Sequence, residues 1–138
     1  YKMEKINEHL TEKYNKLREN EVLFEEYMTE DAEYIIVAFG SAARISSAAV
    51  EMAREAGHKV GLIRPITLFP FPTKRIAEMA AKGVKGFLTA ELNTGQMVED
   101  VRLAVNGVVP VEHYGRAGGA VFTPDEVYDA LMKKIIKK

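Results

Sequence analysis

Four short apolar runs, each followed by a segment of helical periodicity, restrict this chain to an α/β architecture. The first run, Tyr34-Ile35-Ile36-Val37-Ala38-Phe39, is continuous rather than alternating, the pattern of a parallel strand covered on both faces. Val60, Leu62 and Ile63 supply the second run and Gly86 to Ala90 the third. Val108 to His113 supply the fourth, where Pro110 predicts a place near a sheet edge. Between the strands, Ile45, Ala48, Ala49, Met52, Ala53 and Ala56 mark the inner face of a helix that stops at Gly57. Ile76 and Met79 mark a short helix with Thr73 as its cap, ending near Gly83, and Val98, Val101 and Val105 mark another over 95–106. Thr123-Pro124-Asp125-Glu126 has the form of a capping box with proline in the first turn, and starts a last helix through Val127, Leu131 and Ile135. Alternation with right-handed crossovers predicts a three-layer α/β/α sandwich around a mainly parallel sheet, with the four strands in the order 2-1-3-4.

Ahead of this pattern, residues 1–28 read as a helical arm, and 29–138 as the α/β domain. Met3, Ile6, Leu10, Tyr14 and Leu17 form a stripe at spacings of three and four, with Phe24 and Met28 placed to continue it. Such an arm cannot bury its stripe on itself, so it must lie on the following domain or on a partner. A chain that opens on Tyr1 is expected to be part of a longer protein. With 138 residues it suits one domain with a real core.

Composition removes several kinds of chemistry. The net charge is -1 and the cations are interleaved with acids, which argues against nucleic acid. There is no cysteine, so disulfides, thiolate zinc, iron–sulfur ligation and cysteine nucleophiles are unavailable to this chain. No apolar run approaches the roughly 18 residues of a bilayer span, and the charged start lacks a signal-peptide pattern. A cytoplasmic protein without membrane contact is expected.

The candidate functional residues lie in loops where strands meet helices, the ends at which open α/β sheets gather their contacts. Gly40-Ser41-Ala42-Ala43-Arg44 follows the first strand and opens a helix; its amides suit an anion, while Ser41 as an N-cap is the purely structural alternative. No glycine stands two residues after Ser41, so the nucleophile elbow is missing. Glu91-Leu92-Asn93-Thr94-Gly95-Gln96 concentrates a carboxylate and two amides, either as turn chemistry or as a polar contact surface. Tyr114-Gly115-Arg116-Ala117-Gly118-Gly119 reads as a phosphate clamp built on Arg116 or as a connector docking on a partner chain. His9, His58 and His113 have no metal spacing.

Taken in order, these motifs carry a resemblance. The strand 35–39 with Gly40-Ser41-Ala42-Ala43-Arg44, the segment Gly61 to Pro72 with Arg64-Pro65 and its further prolines, Glu91 to Met97, Asp100-Val101-Arg102, Tyr114-Gly115-Arg116 with Gly118-Gly119, and Thr123-Pro124 resemble the C-terminal domain of the α subunit of 2-oxoacid:ferredoxin oxidoreductases. The branched-chain 2-oxoacid and 2-oxoglutarate enzymes are the nearest in pattern. The resemblance implies a transketolase C-terminal-like domain. It implies a parent complex that decarboxylates a 2-oxoacid on thiamine diphosphate with Mg2+, passes electrons through an iron–sulfur cluster to ferredoxin, and releases an acyl-coenzyme A. It further implies that the thiamine site is shared between a pyrimidine-binding domain earlier in the same subunit and a β subunit, so that no catalytic residue and no cofactor falls on this chain. The family-like loop residues Ser41, Arg44, Arg64, Pro65, Glu91, Asn93, Gly95, Gln96, Tyr114, Arg116, Gly118 and Gly119 are then contact positions. A non-catalytic subunit-contact domain is the first expectation, and a module holding coenzyme A or another phosphorylated ligand is the alternative.

Overall fold

The computed structural model describes residues 1–137. Helix α1 (Lys2–Asn20) is followed by β1 (Phe24–Tyr27), β2 (Tyr34–Val37), α2 (Gly40–Glu55), β3 (Val60–Pro65), α3 (Thr73–Ala81), β4 (Gly86–Glu91), α4 (Met97–Val105), β5 (Val111–Gly115) and α5 (Pro124–Leu131), which runs into a π turn, Met132–Ile136. The sheet order is β1-β3-β2-β4-β5. The pairs β2–β3, β2–β4 and β4–β5 are parallel, as the order expected from the four apolar runs requires.

The sheet separates two apolar layers. On one face, α2 and α5 lay Ala42, Ala49, Val50, Ala53, Val127 and Leu131 over Ile36, Leu62 and Leu88. On the other, α3 and α4 lay Ile76, Met79, Val101 and Val105 over Ile35, Val37, Ile63 and Phe87. Both faces of β2 and β4 are thereby covered, which is why their sequences are continuous apolar runs. The capping box forms as written: Glu126 N donates to Thr123 Oγ1 at 3.3 Å and Thr123 N donates to Glu126 Oε2 at 2.8 Å.

The structure corrects the sequence reading at several element ends. The helical arm stops at Asn20, whose side-chain amide donates to the Lys16 carbonyl, and Phe24–Tyr27 is an antiparallel strand on β3 rather than more helix. Phe24 and Tyr27 are half-buried while Glu25 and Glu26 are exposed. Glu25 pairs across the strands with Arg64 at 2.8 Å. The segment closes an edge of β3 that would otherwise present unpaired backbone groups. Ser41 is not an N-cap: α2 begins one residue earlier, behind Phe39, and no side chain caps it. Thr73 lies inside α3 behind Pro72 rather than capping it. The fourth strand starts only after Pro110, which has no N–H to give a ladder.

The turn from β1 into β2 is pinned by Arg54 near the end of α2. Its guanidinium donates to the Met28 and Val60 carbonyls and to the Asp31 carboxylate, each at 2.7 Å. This holds Met28 at a φ of 54, a conformation disfavoured for a residue with a side chain. It also explains a glycine on β3: a Cβ at Gly61 would lie 2.7 Å from the Met28 carbonyl oxygen and 3.0 Å from the Thr29 Cα. Gly61→Ala is expected to destabilise the domain by about 1–3 kcal/mol through this backbone collision, seen as a lower urea midpoint at unchanged slope.

Candidate functional site

The turn after β4 is organised around one buried carboxylate. Glu91 is the last residue of β4 and has no exposed surface. Its Oε1 accepts from Met97 N at 2.7 Å and Gln96 N at 3.2 Å, and its Oε2 accepts from Val98 N at 3.0 Å. These are the orphan amides of the α4 start, so a strand residue caps the helix from beneath. Asn93 completes the turn, its Nδ2 donating to Glu91 Oε1 at 3.3 Å and its Oδ1 accepting from Gly95 N at 2.7 Å. Gly95 adopts a φ of +112 inside this loop. Glu91, Asn93 and Gly95 are therefore spent on the turn's own backbone, and Gln96 gives it its N–H while its side chain is exposed.

Two residues that sequence reasoning did not assign to this cluster join it from the sheet. His113 on β5 is the register partner of Thr89 on β4. Its Nδ1 lies 3.1 Å from Thr89 Oγ1 and 3.3 Å from Glu91 Oε2. The signal was present in period two, because positions 89 and 91 share one face of β4 and His113 comes to that face once the strands are paired. Gly115 stands opposite Glu91 in the register. A Cβ there would lie 2.6 Å from His113 Nε2 and would collide with the Asn93 carbonyl oxygen. Close approach of the 91–95 turn thus accounts for the glycine.

The other loop residues are placed as follows. Arg116 reaches the capping carboxylate of α5, with Nη1 3.2 Å from Glu126 Oε1. Tyr114 packs its ring on Phe122, at 5.7 Å between centroids, and burial is the leading cause that raises its phenol above the ordinary value. Gly118 and Gly119 take positive φ angles of 71 and 82 in an open turn. Pro65 ends β3 opposite Phe24.

Ser41, Arg44 and Arg64 meet elsewhere. They line a cleft of about 610 Å³ between the start of α2 and the β1–β3 edge, with Glu25, Glu26 and Tyr27 on the far wall. The antiparallel strand β1 supplies the opposite wall. Glu25 takes up Arg64, and Glu26 takes up Arg75 at 2.9 Å.

A larger groove of about 980 Å³ runs beside the arm, lined by Val22, Phe24, Phe69, Phe71, Asp100 and Leu103 among others. Helix α1 buries none of its residues. It touches the proline segment through Tyr14, edge-on to Phe69 at 5.9 Å, and through Arg18, 5.6 Å above the same ring. Met3 remains 70% exposed, and Leu68 and Phe69 are about half exposed.

The five-stranded, mainly parallel sheet between two helical layers is a transketolase C-terminal-like α/β fold. The family model for pyruvate:ferredoxin oxidoreductase core domain II matches residues 32–127, and the chain belongs to that family. The ketoisovalerate oxidoreductase subunit VorB of Methanothermobacter marburgensis is 48% identical over 131 residues, covering 95% of this chain and 36% of that protein. The 2-oxoglutarate synthase subunit KorA of the same organism is 33% identical over 129 residues, covering 94% of this chain and 34% of the relative. This chain therefore spans about a third of the curated relatives it matches. Among solved structures, a 2-oxoglutarate:ferredoxin oxidoreductase from Magnetococcus marinus, with 2-oxoglutarate, coenzyme A and succinyl-CoA bound, superposes with a TM-score of 0.69 at 25% identity, covering 80% of this chain and 19% of that one. A split-gene transketolase in its inactive beta4 tetramer gives a TM-score of 0.65 at 19% identity, covering 79% of this chain and 40% of that one, a likeness of fold.

Two outcomes test the site. Glu91→Gln replaces an acceptor oxygen by an amide facing backbone N–H groups, and is expected to cost about 2–4 kcal/mol in denaturant unfolding. Asp100, in the first turn of α4, has its carboxyl raised above the ordinary value by burial first, then by Glu91 and Glu99. A folded-state value above the unfolded one means the folded domain binds this proton more tightly. The associated stability is present at low pH and is lost as pH rises through the raised value. Asp100→Asn is expected to remove that loss, so the variant gains on the parent as thermal unfolding is followed upward from acid pH.

Proposed function

We propose that this chain is a non-catalytic bracing and contact domain of a thiamine-diphosphate-dependent 2-oxoacid:ferredoxin oxidoreductase. The observation that carries the reading is a division of labour between polar and apolar surface. The polar loops satisfy one another inside the domain, with Glu91 spent on α4 and Arg116 on Glu126. Met3 and Ile6 of the α1 stripe and the Leu68–Phe69 segment remain exposed, and Leu10 and Leu17 are only partly buried. A helix of 19 residues that buries none of them is marginal by itself in water, so the arm takes its stability from packing on protein. The partners proposed are the pyrimidine-binding domain of the same subunit, the β subunit and further subunits, with ferredoxin reached through the complex. A cytoplasmic location follows from that assignment; no described helix is long and apolar enough to cross a membrane.

The donor set of this chain does not fit the parent's inorganic groups. It has no cysteine for an iron–sulfur cluster, and among the described residues no three His, Asp or Glu side chains converge as metal ligands. Thiamine diphosphate, Mg2+ and the cluster belong to the rest of the complex, and no reaction step is routed through this domain. Leu10→Glu with Ile6→Glu is expected to leave the domain folded while weakening its retention in the complex by tenfold or more, about 1.4 kcal/mol or above. Size-exclusion chromatography of the co-expressed subunits reads this, and undiminished co-elution would overturn the assignment.

A second reading has one observation in its favour. Ser41, Arg44 and Arg64 line one cleft at an α2 start that no side chain caps and that has no acid in its first turn. This arrangement suits coenzyme A or another phosphorylated ligand. Calorimetry of the complex with coenzyme A, before and after Arg44→Ala, separates the readings: an affinity loss of about tenfold in the variant supports the ligand site, and an unchanged isotherm assigns the cleft to protein contact.

A further inference from the structure

We propose that α1 docks in a groove, on protein outside this domain, that has an apolar floor and one wall of carboxylates. This assignment rests on the bracing role proposed above and specifies the surface that receives the arm. Met3, Ile6, Leu10, Tyr14 and Leu17 share one face of the helix. At about 100° per residue, Lys2, His9, Lys13 and Lys16 run along one border of that face, about 60–120° from its centre, with Lys5 beyond them. The other border carries Asn7, Thr11 and Arg18, with Glu4 beyond them. Glu8, Glu12 and Glu19 stand within about 20° of the side opposite the stripe.

The domain itself occupies only the Arg18 side of the helix. Tyr14 meets Phe69 edge-on at 5.9 Å, and Arg18 lies 5.6 Å from the centroid of the same ring. Met3 and Ile6 stay 70% and 46% exposed. Lys2, Lys13 and Lys16 are exposed, and no ion pair among the described residues includes them. A lysine at the edge of an apolar contact lays its stem on the apolar surface and turns its ammonium to an anion or to water. A row of lysines on one border, with acids kept to the far side, selects a wall of carboxylates and rejects a basic one. The same asymmetry disfavours a lipid surface. A helix lying in a membrane interface carries its cations across the polar face, and here that face belongs to Glu8, Glu12 and Glu19.

Zero-length carbodiimide cross-linking of the full complex tests the wall. Lys13 or Lys16 is expected to join an aspartate or glutamate outside residues 1–138, located by mass spectrometry. Hydrogen–deuterium exchange of the arm in the same complex tests the energetics. Lys13→Glu with Lys16→Glu is expected to speed exchange across 2–20 by about tenfold, since two attractions become repulsions. Glu8→Lys with Glu12→Lys, on the far face, is expected to leave exchange within about twofold of the parent. Leu10→Glu with Ile6→Glu reads the bracing role separately. If it frees the arm while the lysine reversal does not, the carboxylate wall is wrong and the bracing role stands. If neither frees the arm, both fall. Cross-links from the lysines confined to this domain, or lysine-dependent co-sedimentation with phosphatidylserine vesicles, overturn the proposal as well.

Discussion

A single carboxylate, buried where a strand ends and a helix begins, organises the end of the sheet at which α4 starts. Glu91 has no exposed surface and no arginine or lysine beside it; backbone amides and the dipole of α4 do the compensating. A fully buried polar side chain held this way tolerates little displacement, because each lost donor leaves desolvation uncompensated. The Asn93 turn, the glycine at 115 and the placement of His113 all conform to it. The loop that looks richest in functional groups is thereby the part of the domain least free to serve an external ligand.

The contrast with the arm defines how the domain divides its surface. Polar groups are turned inward at the end of β4, and apolar groups are left outward along α1 and the 66–69 segment. The likeness to a transketolase C-terminal domain fits this pattern at the level of fold. The match to pyruvate:ferredoxin oxidoreductase core domain II gives it a family.

Much of the architecture was legible in the residues. The continuous runs at 34–39 and 86–90 announced strands covered on both sides, and the capping box at Thr123 announced its helix. The four parallel strands follow the predicted order because crossover handedness leaves few choices. Phe24–Tyr27 was misread because four residues carry too little periodicity to separate a strand from one more helical turn, and its pairing with β3 is a tertiary decision. Ser41 was misread because a serine between a strand and a helix suits an N-cap, whereas the helix here starts one residue sooner. The candidate loops were correctly located yet split between two places. Ser41, Arg44 and Arg64 share a cleft while Glu91 and Asn93 build a cap, a distinction that depends on side-chain direction and register. His113 could not be linked to Glu91 without the register between β4 and β5, which the predicted strand order leaves open.

The strand that closes β3 has a mechanical consequence. Helix α1, about 28 Å long at 1.5 Å per residue, is joined through three residues to β1. Any push or pull on the far end of that rod by a neighbouring subunit arrives first at the β1–β3 ladder and its Glu25–Arg64 pair. From there it reaches β2, the central rail of the sheet, before it meets a loop that could absorb it. Rod and slab therefore stand in series along the chain, tied by the three-residue connector and by the contacts of Tyr14 and Arg18 with Phe69.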